Sequence, residues 1–295
     1  MSGSRAGSVR LIHGDARRLT GISNASVHLV VTSPPYPMIP QWDELFRRLG
    51  ASTYPAMLHV LEDAWSACHR VLVPGGILAI NIGDALRTTD DAFRLWPNHA
   101  ETLLAAERVG FRPLPYLLWK KPTNKPNAFL GSGFLPPNAY VTLDCEFILL
   151  LRKGGLRRLP VHDARREASR FTRAERDHWF SQIWSDVRGA PQGAHGARTA
   201  AFPVTIPERL VRMFSVVGDT VLDPFAGTGV TLEAAVRWGR DAIGVEWDPD
   251  TFAALAARGK RYGWSTVPLP GARRVGRGAR PLRRRRGGGT ARPKG

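Results

Sequence analysis

The strongest constraint on what this chain can fold into is a rhythm. Short, continuously apolar runs alternate with longer stretches whose apolar residues recur at helical spacing, and the runs stop in loops rich in Gly, Pro, Ser and Asp. Residues 9–12 and 27–31 are two such runs, ending at His13-Gly14-Asp15 and Thr32-Ser33-Pro34-Pro35-Tyr36. Apolar character without alternation is what a strand covered on both faces needs. Residues 54–73 then carry helical spacing up to Pro74-Gly75-Gly76, and 77–82 read as a strand again. A helix over 96–109 and strands at 114–119 and 146–151 continue the pattern. After Pro207 come a helix, a strand at 220–222, a helix at 231–238, a strand at 241–245 and a helix over 249–260. About seven strands and six helices in alternation predict an α/β fold, a mostly parallel sheet with helices on both faces.

Two segments interrupt the rhythm. Residues 120–141 are rich in Pro, Asn and Gly and predict a long loop. Residues 152–200 are polar and Arg-rich, with His162, His178, Trp179, Trp184 and His195, and read as an insertion or small subdomain. No internal repeat is visible.

At 295 residues and 43% hydrophobic, the chain can bury one large core with a modest insertion. Cys68 and Cys145 lie far apart and outside any CxxC spacing, so neither a disulfide framework nor a zinc site is expected. His28, His59, His69 and His99 are isolated, and no metal is expected. Residues 1–10 lack a signal-like apolar segment, and no stretch approaches the roughly 20 apolar residues that span a bilayer. The expected compartment is the cytoplasm.

The net charge of +17, from 42 basic and 25 acidic residues, points to a polyanionic partner. Ten of the basic residues follow Pro270 with no acid among them, so 271–295 is predicted to be a disordered basic tail. That tail reads either as a solvated extension or as a phosphate-binding arm. The remainder of the chain is still net basic.

Asp223-Pro224-Phe225-Ala226-Gly227-Thr228-Gly229 lies between a predicted strand and a predicted helix. Glycines there let the backbone approach a ligand, and the helix start offers free N–H groups. The next strand ends at Gly244-Val245-Glu246, where a carboxylate can accept both ribose hydroxyls of an adenosyl group. Asp223 is placed to face a cationic amino-acid moiety. A dinucleotide fits the same layout, so the loop alone leaves that alternative open.

Together with Ser33-Pro34-Pro35-Tyr36, this loop resembles a known family, the amino-group DNA methyltransferases. In that family D-P-F-x-G-x-G is the S-adenosylmethionine loop and S-P-P-Y or D-P-P-Y the catalytic motif. Here the catalytic motif precedes the cofactor loop, which looks like the family's β-type circular permutation. The resemblance spans roughly residues 9–260 and implies a Rossmann-like methyltransferase fold, circularly permuted, with a small insertion. It implies that Asp15 supports the adenine ring, and that Phe202 and Pro203, in a segment running to Glu208, wrap the methionine end of the cofactor. Pro224, Phe225, Gly227 and Gly229 follow as cofactor-loop residues. On this reading 9–151 form the catalytic half, 152–200 the target-recognition insertion and 201–262 the cofactor-binding half.

An exocyclic amino group is a poor nucleophile because its lone pair is delocalised into the ring. Hydrogen bonds from the amino hydrogens to the Ser33 side chain and the Pro34 carbonyl would localise that pair, while Pro34 and Pro35 stiffen the loop. Tyr36 offers a flat face for a base extruded from the duplex. Ser in front of Pro-Pro-Tyr is associated in the family with cytosine N4, and Asp or Asn with adenine N6. The resemblance therefore implies N4-cytosine methylation, with N6-adenine as the runner-up. An RNA amino-methyltransferase and an inactive DNA-binding relative are the remaining alternatives.

Carbon-5 cytosine chemistry needs a thiolate, and neither Ala67-Cys68 nor Asp144-Cys145 resembles a Pro-Cys loop. Protein glutamine methyltransferases carry Asn-Pro-Pro-Tyr after the cofactor loop, the reverse of the order here. Arg157, Arg158, Arg165, Arg166, Arg170 and Arg173 suit phosphates or guanine edges. Trp42-Asp43-Glu44 reads as a lid over the base or its anchor. Trp119-Lys120-Lys121-Pro122 resembles a segment that lines the base pocket in the family. DNA is the expected partner, with a cognate restriction endonuclease as a further one. Nothing in the sequence sets the oligomeric state.

Overall fold

The computed structural model describes residues 7–89, 92–121, 141, 143–189 and 202–267. The predicted loop at 120–141 in nearly all its length, the end of the insertion with His195, and the basic tail lie outside the described residues. In chain order the elements are β1 (Val9–His13), β2 (Val27–Thr32), a 3-10 turn (Pro40–Trp42), α1 (Asp43–Arg48), α2 (Tyr54–Val71) and β3 (Leu72–Ile82). There follow β4 (Ala85–Thr89), β5 (Ala92–Trp96), α3 (Asn98–Val109), β6 (Phe111–Pro113), β7 (Leu117–Lys120) and β8 (Cys145–Lys153). The insertion holds α4 (Ala164–Ala168), α5 (Arg173–Trp179) and β9 (Ile183–Trp184). The last part runs α6 (Thr205–Phe214), β10 (Thr220–Asp223), α7 (Val230–Arg237), β11 (Asp241–Glu246), α8 (Pro249–Lys260) and β12 (Ser265–Val267).

Among the described residues one ten-stranded sheet runs β12-β1-β11-β10-β2-β3-β8-β7-β9, with β6 also paired to β8. Pairing is parallel from β12 to β3 and turns antiparallel at β8. The two parts of the chain that flank the insertion meet inside this sheet: β10 pairs with β2, Val221 beside Leu29 and Leu222 beside Val30. From that pair the crossovers diverge, through α7 to β11 on one side and through α2 to β3 on the other. Such a reversal leaves a crevice at the carboxyl ends of the strands, where ligands of open α/β sheets bind.

Successive strand residues point to opposite faces, so one apolar run serves two cores. Leu29, Val31 and Val221 pack with Ile206, Leu210 and Leu232 from α6 and α7. Val30, Leu222 and Ile80 pack on the other face with Leu61 and Trp65 of α2 and Ala105 of α3. Helix α2 is fixed by its own sequence. Thr53 caps it, accepting from Ala56 N, Pro55 fits the first turn, and Met57, Leu61, Ala64, Cys68 and Val71 form its buried stripe.

Several boundaries differ from expectation for local reasons. The strand expected at 114–119 begins only at Leu117, as β7, and a separate short β6 precedes it at Phe111–Pro113, because Pro113 and Pro115 lack the N–H groups a continuous ladder needs. The helix expected from 96 starts at Asn98, since Trp96 ends the β4–β5 hairpin, which pairs Ala85 with Trp96 and had no clear apolar alternation. The strand expected at 77–82 begins at Leu72 and runs through Pro74-Gly75-Gly76; a register shift between Val27 and Leu29 accommodates it.

One expected nucleic-acid contact is corrected. Arg157 makes a bidentate pair with Asp219, Nη1 to Oδ2 at 2.5 Å and Nη2 to Oδ1 at 2.7 Å, and Asp219 is fully buried. This pair ties the insertion to the turn before β10. Removing one partner of a buried pair strands the other charge, at about 3 kcal/mol or more. Arg157→Ala is therefore expected to lower unfolding stability by about 3 kcal/mol in denaturant titration, and an unchanged midpoint would contradict this role. Arg165, Arg170 and Arg173 pair with Asp163, Glu167 and Asp177 on the surface, while Arg158 and Arg166 are exposed.

Candidate active site

Because β2 and β10 are parallel neighbours, the loops that follow them leave the same edge of the sheet. Thr32, the last residue of β2, donates its hydroxyl to Asp223 Oδ1 at 2.7 Å, and both residues are buried. A single hydrogen bond thus joins the start of Ser33-Pro34-Pro35-Tyr36 to the start of the glycine loop. Above it lies a cavity of about 390 Å³, within the range of roughly 300–1,000 Å³ usual for small-molecule sites. Ser33 and Pro35 line it from the first loop; Asp223, Phe225 and Gly227 line it from the second. Glu246, at the end of β11, and Phe202 complete the part expected from sequence.

The cavity holds two acids with distinct environments. Burial pushes the Asp223 carboxyl up to about 6, against the opposing hydrogen bonds from Thr32 and from Phe225 N at 3.1 Å. Burial also raises Glu246, whose oxygens accept from Gly227 N at 3.0 Å and Asp248 N at 2.9 Å. These backbone donors fix the plane of the Glu246 carboxylate at the mouth of the glycine loop. Gly227 and Gly229 have φ of +48° and +83°. Gly229 does not line the cavity. A Cβ there would stand 2.7 Å from Leu255 Cδ1, so its role is to let α7 start against α8.

The wall opposite the glycine loop comes from the segment after the catalytic motif. Trp42, Leu45 and Arg48 line the cavity, and Arg48 reaches across to Asp248 at 3.0 Å with its guanidinium 4.6 Å from the Trp247 ring centre. Asn98 Nδ2 donates to Pro37 O at 2.9 Å and Gly83 O at 3.1 Å, fastening the end of the motif to the end of β3.

Behind Ser33 is a polar cluster in which Ser33, Tyr36 and Lys121 belong to segments named from the sequence, whereas Asn81 and Glu146 were missed. Ser33 Oγ lies 3.0 Å from Tyr36 Oη, which donates to Glu146 Oε2 at 3.0 Å. Asn81 Nδ2 donates to Tyr36 Oη at 2.8 Å and to Glu146 Oε2 at 2.6 Å, and Lys121 Nζ pairs with Glu146 Oε1. Burial, then the Glu146 charge, holds the Tyr36 phenol well above its ordinary range. The ring of Tyr36 packs at Gly83, where a Cβ would come within 3.2 Å of Cε2. A signal for the missed pair was Asn81, a polar residue inside an apolar strand run.

The remaining expected residues lie near the cavity without lining it. Pro34 and Pro224 are buried in the two loops. Pro203 precedes α6, next to Phe202. Asp15 follows β1 beside β11, with Gly14 N donating to Glu246 O at 3.0 Å, but its carboxylate is engaged by Arg17 in a 2.7 Å ion pair. Among the described residues no group of three or more His, Cys, Asp or Glu is arranged to hold a metal ion, and no helix is long and apolar enough to cross a membrane.

The glycine loop and the S-P-P-Y loop thus leave the same edge of a mostly parallel sheet. Residues 27–257 match the DNA methylase family of N6 and N4 methyltransferases, and the chain belongs to that family. It is 52% identical over 265 residues to the Type II methyltransferase M.MjaI of Methanocaldococcus jannaschii, covering 81% of this chain and 87% of that one. It is 42% identical over 258 residues to the Type II methyltransferase M.MthZI of Methanothermobacter thermautotrophicus, covering 81% and 73%. The fold is similar to that of TTHA0409 of Thermus thermophilus, described as a putative DNA modification methylase and crystallised with S-adenosyl-L-methionine. That match has a TM-score of 0.71 and 39% identity, over 88% of this chain and 99% of the other. The activity is accordingly S-adenosylmethionine-dependent methylation of DNA at adenine N6 or cytosine N4.

Proposed function

We propose that this enzyme methylates N4 of cytosine within a short DNA sequence. The observation that carries the reading is that Ser33, a neutral hydroxyl, lines the same cavity as Asp223, Gly227 and Glu246. The residues present suit S-adenosylmethionine. Glu246, oriented by two backbone N–H groups, can accept the ribose hydroxyls; Asp223 can face the cationic amino-acid end; Phe202, Phe225 and Trp42 give apolar walls. Asp15 is assigned to the adenine side, and Pro203, Pro224 and Gly229 to the shape of the loops. When bound, the cofactor supplies an electrophilic methyl group on a sulfonium.

The chain's own task is to hold the base and localise its lone pair. Ser33 Oγ and the Pro34 carbonyl accept the amino hydrogens, the two prolines stiffen the loop, and Tyr36 stacks on the extruded base. The insertion, with exposed Arg158 and Arg166, is assigned to reading the DNA. The Type II names of the relatives support a cognate restriction endonuclease as partner and the cytoplasm as the compartment. Unmodified DNA incubated with the enzyme and cofactor, then digested to nucleosides, is expected to yield N4-methylcytosine by mass spectrometry. N6-methyladenine alone would overturn the cytosine assignment and leave the site intact.

A further inference from the structure

We propose that Glu146 is a positioning residue that sets the hydrogen-bond polarity of Ser33, making its hydroxyl an acceptor toward the cavity. The inference rests on the reading that Ser33 meets the amino group of the target base. A phenol has one hydrogen and two lone pairs. The Tyr36 hydrogen is committed to Glu146, a carboxylate that can only accept, and one Tyr36 lone pair takes the Asn81 N–H. Flipping the Asn81 amide is disfavoured, because its oxygen would then face Glu146 Oε2 at 2.6 Å. The second lone pair of Tyr36 is left for Ser33, so the Ser33 hydrogen turns away from the cavity and its own lone pairs turn inward. Lys121 on the outer oxygen holds the carboxylate in register. Such a site welcomes a base edge that donates, an amino group, and repels one that accepts, a keto oxygen.

Glu146→Gln tests this. All variants are made on an Asn81→Ala background and compared with it, because otherwise the Asn81 amide would turn its oxygen to the new NH2 and take the phenol hydrogen. On that background Lys121 draws the amide oxygen, leaving the NH2 toward Tyr36, whose hydrogen then turns to Ser33 and reverses the chain. With tritiated S-adenosylmethionine and PCR-amplified genomic DNA, kcat is expected to fall about 100-fold, with KM for DNA and cofactor affinity by calorimetry unchanged. Tyr36→Phe keeps the ring and removes the relay, so it should lose a similar factor. The double variant should lose no more than either single one, because both act through one hydroxyl. Background kcat in Glu146→Gln, or losses that multiply in the double variant, would overturn the proposal. Should Glu146→Gln not fold, background kcat in Tyr36→Phe alone would overturn it. Ser33→Ala serves as the control: full activity there sinks the site reading itself, whereas loss there beside normal Glu146→Gln sinks only the role of Glu146.

Discussion

Ser33→Ala is expected to lower kcat by about 10²- to 10³-fold while leaving S-adenosylmethionine affinity unchanged, the magnitude seen when one preorganised polar group is removed from a reacting centre. The split follows from geometry. Ser33 stands on the β2 side of the cavity, whereas the polar groups suited to the cofactor, Asp223, Gly227 N and Glu246, stand at the ends of β10 and β11. The Thr32 to Asp223 bond that joins the two sides belongs to the preceding residue and survives the substitution. Calorimetry for cofactor and single-turnover methylation for chemistry separate the two effects. Parallel loss of both would mean that Ser33 shapes the cofactor site and does not meet the base.

Asp223→Asn is expected to weaken cofactor binding roughly 30- to 100-fold, the worth of a hydrogen bond to a charged group, while raising protein stability. The carboxyl rises from 3.8 to about 6 on folding. The folded state therefore favours the protonated form, and the stability this group contributes is present below about pH 4 and lost as pH rises through about 6. At neutral pH an ionised, buried Asp223 costs stability, on the order of a few kcal/mol. The isosteric amide removes that cost and can still accept from Thr32. The charge is retained, on this account, because a cation binds beside it. Binding of that cation favours the ionised form, so wild-type affinity should fall as pH drops from about 7 to 5, with a shallower slope in Asp223→Asn. Wild-type affinity in the variant, with equal slopes, would remove Asp223 from the cofactor site.

The two loops were legible in sequence because each demands unusual backbone: consecutive prolines in one, and residues at positive φ in the other, where Gly227 and Gly229 adopt it. What joins them was not. The contact between Thr32 and Asp223 spans 191 residues and depends on β2 lying beside β10, a strand order that apolar periodicity does not encode. Glu146 is likewise 110 residues from Tyr36, brought there by the antiparallel β8. Charge counting misjudged Arg157, since a count cannot distinguish an arginine facing solvent from one that neutralises a buried Asp219. Trp42 was read from the sequence as a lid over the base or its anchor; it lines the cavity, and its side of the cavity depends on α1 being fastened to the start of α8 through Arg48 and Asp248.

A crystal structure of the enzyme with S-adenosylmethionine or a non-reactive analogue and a DNA duplex carrying its target decides the arrangement. The expected result is an extruded base with its amino nitrogen hydrogen-bonded to Ser33 and roughly 3–3.5 Å from the position of the transferable methyl, the ribose on Glu246. A cofactor bound away from Glu246, or a base whose amino group points away from Ser33, would contradict it.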